Sequence, residues 1–511
     1  MEERIDIPDP STIDAVEDLG SARALLKQLL MMLTTLQTLI QTLQQTIDEQ
    51  RQEIEELKRS LFGQKRERVV MPPVGKQRKQ ARSEEEKQAA QKQAQKTRRE
   101  NAEKRRIRLP EEVIEHRLEA EQLPCGCPSE SLVFLSPKES EEIEYVPAHF
   151  IRRTHRLEVA RCGCGEFHQA SAPQRVSEGV LYGPGLHAHA VVAKCADSIP
   201  LHRVAKGFGR AGVPISRSTL TDLYHRTADL LEPVAHRLVE LAALQELVHA
   251  DETSVPVQEE DKCRRAYIWT FVAGCDAGAI VAYRFSADRS GETPLAVLGA
   301  TTGYLQVDGY TGYNAVTTPK KRRRIGCWTH ARRKYFEALP TSPEPAKKAI
   351  EWIRQLYEVE YAAAEANVLG TPEHLALRKT KSAKILEEFY AWVEEESHRT
   401  RPKSPLGKAL KYMINQRKHL ERFLEDPRIP LDNNISERAL RGVALGRKNF
   451  LFVGHDKAGA RFAVLQTLVS TCIANKVNPQ DYIADVLLRI QTHPHSKIDE
   501  LLPFHWKPPP D

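Results

Sequence analysis

Between positions 22 and 61 apolar residues recur at 26, 29, 33, 36, 40, 43, 47, 54, 57 and 61, at intervals alternating between three and four, with Gln50 the one polar residue on the stripe. Leu and Ile filling the a and d positions of more than five heptads predict a coiled coil. So long an apolar seam must be covered by a second helix. Gln50 would cost some stability and fix register, and Gly63 marks the C-terminal break.

Further along, the period shortens. Leu247–Ala250, Tyr267–Ala273, Ile280–Phe285 and Tyr304–Val307 are short apolar runs that read as strands, with a last strand expected at Arg324–Trp328 and a short helix near Glu292–Leu298. Residues 346–426 return to helical spacing throughout. The stretch 431–453 places Ile435, Leu440 and Val443 on one helical face and ends in a strand-like FLFVG. Three antiparallel strands, then helix, strand, helix and strand, is the ribonuclease-H-like order, here with a helical insertion before its last helix. Upstream, Leu201–Arg210, the turn Ala-Gly-Val-Pro-Ile, and Ser216–Tyr224 with its Ser-Arg-Ser-Thr cap give helix, turn, helix. If that pair reads DNA, Arg217, Ser218 and Thr219 face the groove; such pairs also occur as plain scaffolding.

The predicted fold class is therefore multidomain, α+β and mostly α. Its parts are a leucine-zipper-like coiled coil (1–63), a basic linker (64–109), a small zinc-binding β module (110–178), a helix-turn-helix region (179–245), a ribonuclease-H-like α/β core (246–470, insertion about 340–428) and a C-terminal helical tail (471–511).

Charge sharpens this picture through its distribution. The net charge of +6 over 511 residues decides little, but residues 64–108 carry sixteen Lys and Arg against six Asp and Glu and almost no large apolar side chains. Such a stretch cannot build a core; it is a solvated tether or an arm for DNA phosphates. No apolar run follows MEERIDIPDP and no stretch of about 18 uninterrupted apolar residues occurs, so neither a secretory signal nor a membrane span is expected. The expected setting is a reducing, cytosolic compartment. There the odd total of nine cysteines points to metal binding rather than disulfides. Two close pairs, Cys125 with Cys127 and Cys162 with Cys164, suit a tetrahedral structural Zn²⁺. Their C-x-C spacing departs from the commoner C-x₂-C. An alternating stretch before Cys162 reads as the hairpin that delivers the second pair; His155 and His168 could substitute as ligands but read better as surface histidines.

Three acids carry the candidate chemistry. Asp251 and Asp308 close two of the apolar runs, and Glu437 sits early on the late helix. Taken singly, each aspartate reads as a turn or cap residue. Taken together, two strand-end aspartates and one helical glutamate are what a site for Mg²⁺ needs, since hard cations take oxygen ligands and keep positions open for substrate phosphate. Two ions held by the three acids would support phosphoryl transfer on DNA. His330, Arg332 and Arg333, just past the last strand, and Arg441, Arg447 and Lys448 around the late helix are candidate DNA contacts. The run Lys320–Arg324 adds a basic patch. Asp432 rivals Glu437 as third ligand but reads better as a cap.

The segments HADET, VDGYTGYN, GCWTHARRK and DNNISERALRGVALGRKNFLFVG closely resemble the DDE transposases of the insertion sequence 66 family. The resemblance spans nearly the whole chain. It implies that Asp251, Asp308 and Glu437 form the DDE triad, and that the activity is cleavage at the ends of an insertion sequence followed by strand transfer into target DNA. The partners it implies are double-stranded DNA, a second copy of the chain through the coiled coil, and accessory proteins of the same element. The competing expectation is a DNA-binding regulator with an inactive ribonuclease-H-like domain.

Overall fold

The computed structural model describes residues 150–161, 167–176 and 181–508, and nearer the N-terminus residues 27, 31–44, 46, 47, 50 and 96. The chain forms two compact units, one of Met1–Gly63 with Phe150–Asp511 and the other Gln64–His149, of which only Lys96 is described. The basic linker, apart from Lys96, and all four cysteines of the C-x-C pairs lie outside the described residues.

The described residues of the N-terminal seam are helical, and Leu33, Leu36, Ile40, Leu43 and Ile47 are all exposed. The strands β1 (Val159–Arg161) and β2 (Phe167–Gln169) pair antiparallel on either side of the second C-x-C pair in the sequence, whereas the hairpin expected before Cys162 is not formed by residues 150–158, which carry no strand.

Three helices follow: α1 (Pro184–Cys195), α2 (Leu201–Arg210) and α3 (Arg217–Leu244). Helix α3 begins where its cap cluster predicts, with Ser216 Oγ accepting from Thr219 N at 3.0 Å. It runs much further than Tyr224, for 28 residues, because Leu231, Val234, Leu238 and Ala242 continue an apolar face that packs on the sheet and on a later helix.

The core is a five-stranded mixed sheet. Strands β3 (Leu247–Gln258), β4 (Cys263–Cys275) and β5 (Gly278–Ser286) form an antiparallel meander. After α4 (Glu292–Leu298), β6 (Gly303–Gln306) adds parallel to β3, and β7 (Arg322–Ile325) adds parallel to β6, giving the order β5-β4-β3-β6-β7. Gly303, at φ +109°, opens β6 hard against the Glu246 carbonyl, where a Cβ would collide.

The insertion is wholly helical: α5 (Trp328–Ala338), α6 (Pro343–Glu365), α7 (Pro372–Leu377), a π turn at Arg378–Ser382, α8 (Ala383–Arg399) and α9 (Pro405–Leu420). It has its own core around Trp328, Tyr335, Ile353, Phe389 and Met413, distinct from the core that joins the sheet to α1, α3 and the C-terminal helices. Helix α10 (Asn434–Phe450) then lies on β3 and β4, α11 (Asp456–Ala474) covers β5 and α3, and α12 (Pro479–Arg489) packs on α1. Among the described residues no helix is long and apolar enough to cross a membrane.

Four expectations are corrected. Asp251 does not end its strand: β3 continues to Gln258 because Val255 and Val257 go on burying the inner face. The last strand is Arg322–Ile325, and Trp328 already belongs to α5, since its indole is buried in the insertion core with Nε1 donating to the Leu420 carbonyl at 3.0 Å. FLFVG is not a strand: α10 absorbs Phe450, and only Val453 bridges to Val257. Finally, Lys320–Arg324 is not an open basic patch. Arg322 and Arg324 are buried and donate to main-chain carbonyls, among them Tyr304 O at 2.9 Å and Asp308 O at 2.5 Å.

Candidate active site

Parallel pairing of β3 with β6 ends at His249 opposite Gln306. Asp251 and Asp308 each lie two residues beyond that last pair, so the register carries them side by side just past the C-terminal end of β6. Asp251 remains inside the β3–β4 ladder, opposite Thr270, and that ladder holds it rigidly. Asp308 Oδ1 accepts from Tyr310 N at 2.8 Å, so the turn reading holds for one of its oxygens. The buried Arg324 guanidinium donates to Asp308 O and Tyr310 O, at 2.5 and 2.6 Å, and to Asn314 Oδ1 at 2.9 Å, which fixes the loop below the carboxylate.

Glu437 arrives from the first turn of α10. The helix is anchored by Asn433, which is fully buried. Its side-chain amide donates to Ala250 O at 2.8 Å, and its Oδ1 lies 3.2 Å from His249 Nδ1. Burial keeps His249 neutral and pushes it down to about 4, so its Nδ1 is the donor in that contact. Asp432 faces elsewhere: Oδ1 accepts from Asn434 N at 3.1 Å and Oδ2 from Tyr357 OH at 2.9 Å, which is the capping and bracing role expected of it.

The acids act on one another. Burial pushes the Asp251 carboxyl well above the usual carboxylate range, and the charges of Glu252, Asp308 and Glu437 add to the effect against one hydrogen bond from Glu252 N. Glu252, which sequence reasoning passed over, is raised by burial too, although Tyr313 OH at 2.8 Å and Arg289 at 2.5 and 2.8 Å donate to it. The consecutive acids in HADET were the available signal. Glu437 Oε1 is buried with no hydrogen-bond partner.

Of the candidate DNA contacts, α5 brings His330 and Arg333 to Glu437, at 3.8 and 3.9 Å. Burial pushes His330 below its ordinary value, opposed by the carboxylates of Asp308 and Glu437. Arg332 sits over the Phe336 ring, 4.6 Å from its centroid. Arg441 and Lys448 are exposed on α10, whereas Arg447 turns back to β3 and donates to Ser254 O. Arg217 and Ser218 are exposed at the start of α3, at the opposite end of that helix from β3, and the Ser218 and Thr219 hydroxyls lie 2.7 and 2.9 Å from Ser216 Oγ.

Two donor sets could hold a metal. The acids Asp251, Asp308 and Glu437 offer oxygen ligands of the kind a hard divalent cation takes, and the like charges that raise Asp251 are what such an ion offsets, but their carboxylates are not gathered within 4.8 Å of one another. The second set was not foreseen. Cys327, His330 and Glu437 each present a ligand atom, all within 4.8 Å of one another.

Residues 179–461 match the model of the Transposase IS66 family, and residues 467–504 that of the IS66 C-terminal element. The chain is also similar to three proteins of Sinorhizobium fredii (strain NBRC 101917 / NGR234). It is 32% identical to uncharacterized protein y4hP over 405 residues, which is 75% of this chain and 73% of that one. It is 32% identical to y4qI over 415 residues (78% and 76%) and to y4jD over 407 residues (76% and 79%).

Proposed function

Since the chain belongs to the IS66 family of transposases, we propose that it mobilises a bacterial insertion sequence by cutting DNA at the element's ends and joining the freed 3′ ends to target DNA. The observation that supports this reading is that the register sets Asp251 and Asp308 side by side, in β3 and just past the end of the neighbouring β6, and that the buried Asp251 carboxyl is raised by the charges of Asp308 and Glu437 among others. The strand order β5-β4-β3-β6-β7, with its antiparallel meander and two parallel additions, supports a ribonuclease-H-like core.

In this reading Asp251, Asp308 and Glu437 hold two Mg²⁺ ions. When bound, the ions neutralise the scissile phosphate and acidify the attacking water or 3′-hydroxyl. The chain's own residues do the positioning. The β3–β4 ladder fixes Asp251, Arg324 fixes the Asp308 loop, and Asn433 sets the height of α10 and so of Glu437. Arg333 and Lys334 on α5 present positive charge beside the acids, where a DNA backbone would run. Arg217 and the start of α3 supply end recognition, the linker 64–109 adds phosphate contacts, and Cys125, Cys127, Cys162 and Cys164 hold a structural Zn²⁺. The exposed seam Leu33–Ile47 pairs with that of a second copy and brings two element ends together.

The test is Mg²⁺-dependent cleavage and joining on DNA carrying the flanking element ends, with wild type and Asp251→Asn side by side. Cleavage and joining by wild type, lost in the variant while end binding persists, supports the proposal. End binding by wild type with no Mg²⁺-dependent nicking would instead mark a DNA-binding regulator.

A further inference from the structure

We propose that Cys327, His330 and Glu437 form a second, thiophilic metal site, suited to Zn²⁺, which removes Glu437 from the acid cluster when it is filled. The Glu437 consequence rests on the function proposed above; the metal site itself does not.

The spacing and the local structure both favour a metal. Cys327 is the N-cap of α5 and His330 lies in that helix's first turn, so Cys-x-x-His puts both side chains at one helix end. Glu437 comes from the first turn of α10, so two helix N-termini converge on the cluster and favour the anionic ligands. His330 Nδ1 and Glu437 Oε1 are both buried without a hydrogen-bond partner, and they face each other at 3.8 Å. Around a tetrahedral Zn²⁺, ligand atoms sit about 3.3–3.6 Å apart, given bond lengths of about 2.0–2.3 Å. Small side-chain shifts close the observed triangle to that size. Cys327 Sγ already accepts from Asn433 N at 3.2 Å, the kind of outer contact that steadies a thiolate ligand. His330 and Glu437 are 19% and 28% exposed at their side chains, so an ion can enter from their side although Cys327 is buried. On binding, the Cys327 thiol gives its proton to solvent and no electron is transferred. Three protein ligands leave the fourth position to water.

The acid cluster and this site share Glu437, so the two ions compete for one carboxylate. Mg²⁺ takes it toward Asp251 and Asp308, and Zn²⁺ takes it toward Cys327 and His330. Zinc would then hold the protein in a DNA-binding but non-cleaving form.

The experiment uses the full-length chain, stripped of metal and titrated with Co²⁺, whose thiolate charge-transfer band reports Cys ligation. Any cobalt held by the C-x-C pairs adds to the same band, so the quantity read is the difference between variants. Wild type should bind one more equivalent than Cys327→Ser, with a matching loss of band intensity. His330→Gln should lose the same equivalent, and Asp251→Asn should keep it. Each variant's thermal melt establishes folding, and His330→Gln carries the test if Cys327→Ser does not fold. Identical cobalt stoichiometry and spectra in wild type, Cys327→Ser and His330→Gln would overturn the site. In a second arm, Zn²⁺ added one equivalent beyond what Cys327→Ser binds should lower wild-type Mg²⁺-dependent cleavage about tenfold, and that of Cys327→Ser, relative to its own rate without that extra equivalent, by less than about twofold. Equal inhibition of both would overturn the competition. If wild type cleaves nothing with Mg²⁺, the proposed function fails, while the cobalt titration still decides the metal site.

Discussion

The side-chain amide of Asn433 donates to the carbonyl of Ala250 at 2.8 Å, across 183 residues of sequence. That bond fastens the helix carrying Glu437 to the strand carrying Asp251, one residue before the aspartate. The same side chain meets His249 through its other end, so both of its polar atoms are spent on β3.

Asn433→Ala should therefore uncouple the acids. It leaves the Ala250 carbonyl buried and unpaired, at a cost of about 1–3 kcal/mol in stability. Cleavage should fall by more than the loss of folded protein explains. Denaturant titration and a cleavage assay on the same preparation check this; an unchanged melt would refute the bracing role.

Asp251→Asn should separate activity from stability. Mg²⁺-dependent cleavage should drop by about a thousandfold, since metal-held charge contributes several kcal/mol to such steps. Without Mg²⁺ the variant should be more stable than wild type, by on the order of 1 kcal/mol, because a buried charge repelled by Glu252, Asp308 and Glu437 is gone. Melts in the presence of a chelator read this directly. A variant less stable than wild type would contradict the electrostatic account of the cluster.

Acid should weaken the α1–α3 packing through His187. Its Nδ1 lies 2.9 Å from Thr227 Oγ1, and that hydroxyl donates to Leu223 O, so the ring must donate and its buried Nε2 stays unprotonated. Burial pushes His187 down to about 4, against 6.5 for an unperturbed histidine. The unfolded chain therefore binds the proton first as pH falls. This contribution is intact above about pH 6.5 and is lost on the way down to about pH 4, at roughly 1.4 kcal/mol per pKa unit as an upper limit. Urea midpoints of wild type and His187→Asn should differ in their slope between pH 4 and 6.5. Parallel slopes would remove His187 from the account.

Arg217→Ala should weaken binding to element ends and lower the salt slope of log K by about one, as loss of one phosphate contact does. Filter binding at several salt concentrations measures it. An unchanged slope and affinity would place DNA contact elsewhere than the start of α3.

Leu36→Lys with Leu43→Lys should convert the protein to a smaller species by light scattering, since both leucines are exposed on the seam and a charge at a core heptad position opposes pairing. An unaltered mass would mean that copies meet through another surface.

Much of this was legible in the chain. Alternating and continuous apolar runs located β3 to β6 because strand burial leaves a local trace, and Ser216 marked a helix start through local cap chemistry. The strand lengths were not legible. Whether β3 stops at Ala250 or runs on to Gln258 depends on β4 pairing along its whole length, a partner supplied from another part of the chain. Arg322 and Arg324 looked like surface charge because nothing local reveals that main-chain carbonyls await them in the interior. FLFVG looked like a strand because a helix end followed by a single bridging residue has the same apolar composition.

The sequence by itself determined which acids are proposed to bear the chemistry: two aspartates after apolar runs and a glutamate at a helix start. Each is a local pattern that the backbone and its nearest neighbours enforce. Only the tertiary structure decided that the glutamate, 129 positions beyond Asp308, comes near enough for its charge to act on Asp251. It also decided that the same glutamate faces Cys327 and His330, and that Glu252 stands behind Asp251. Such meetings depend on parallel register and on buried hydrogen bonds such as that of Asn433, and long-range contacts of this kind leave no period in the chain.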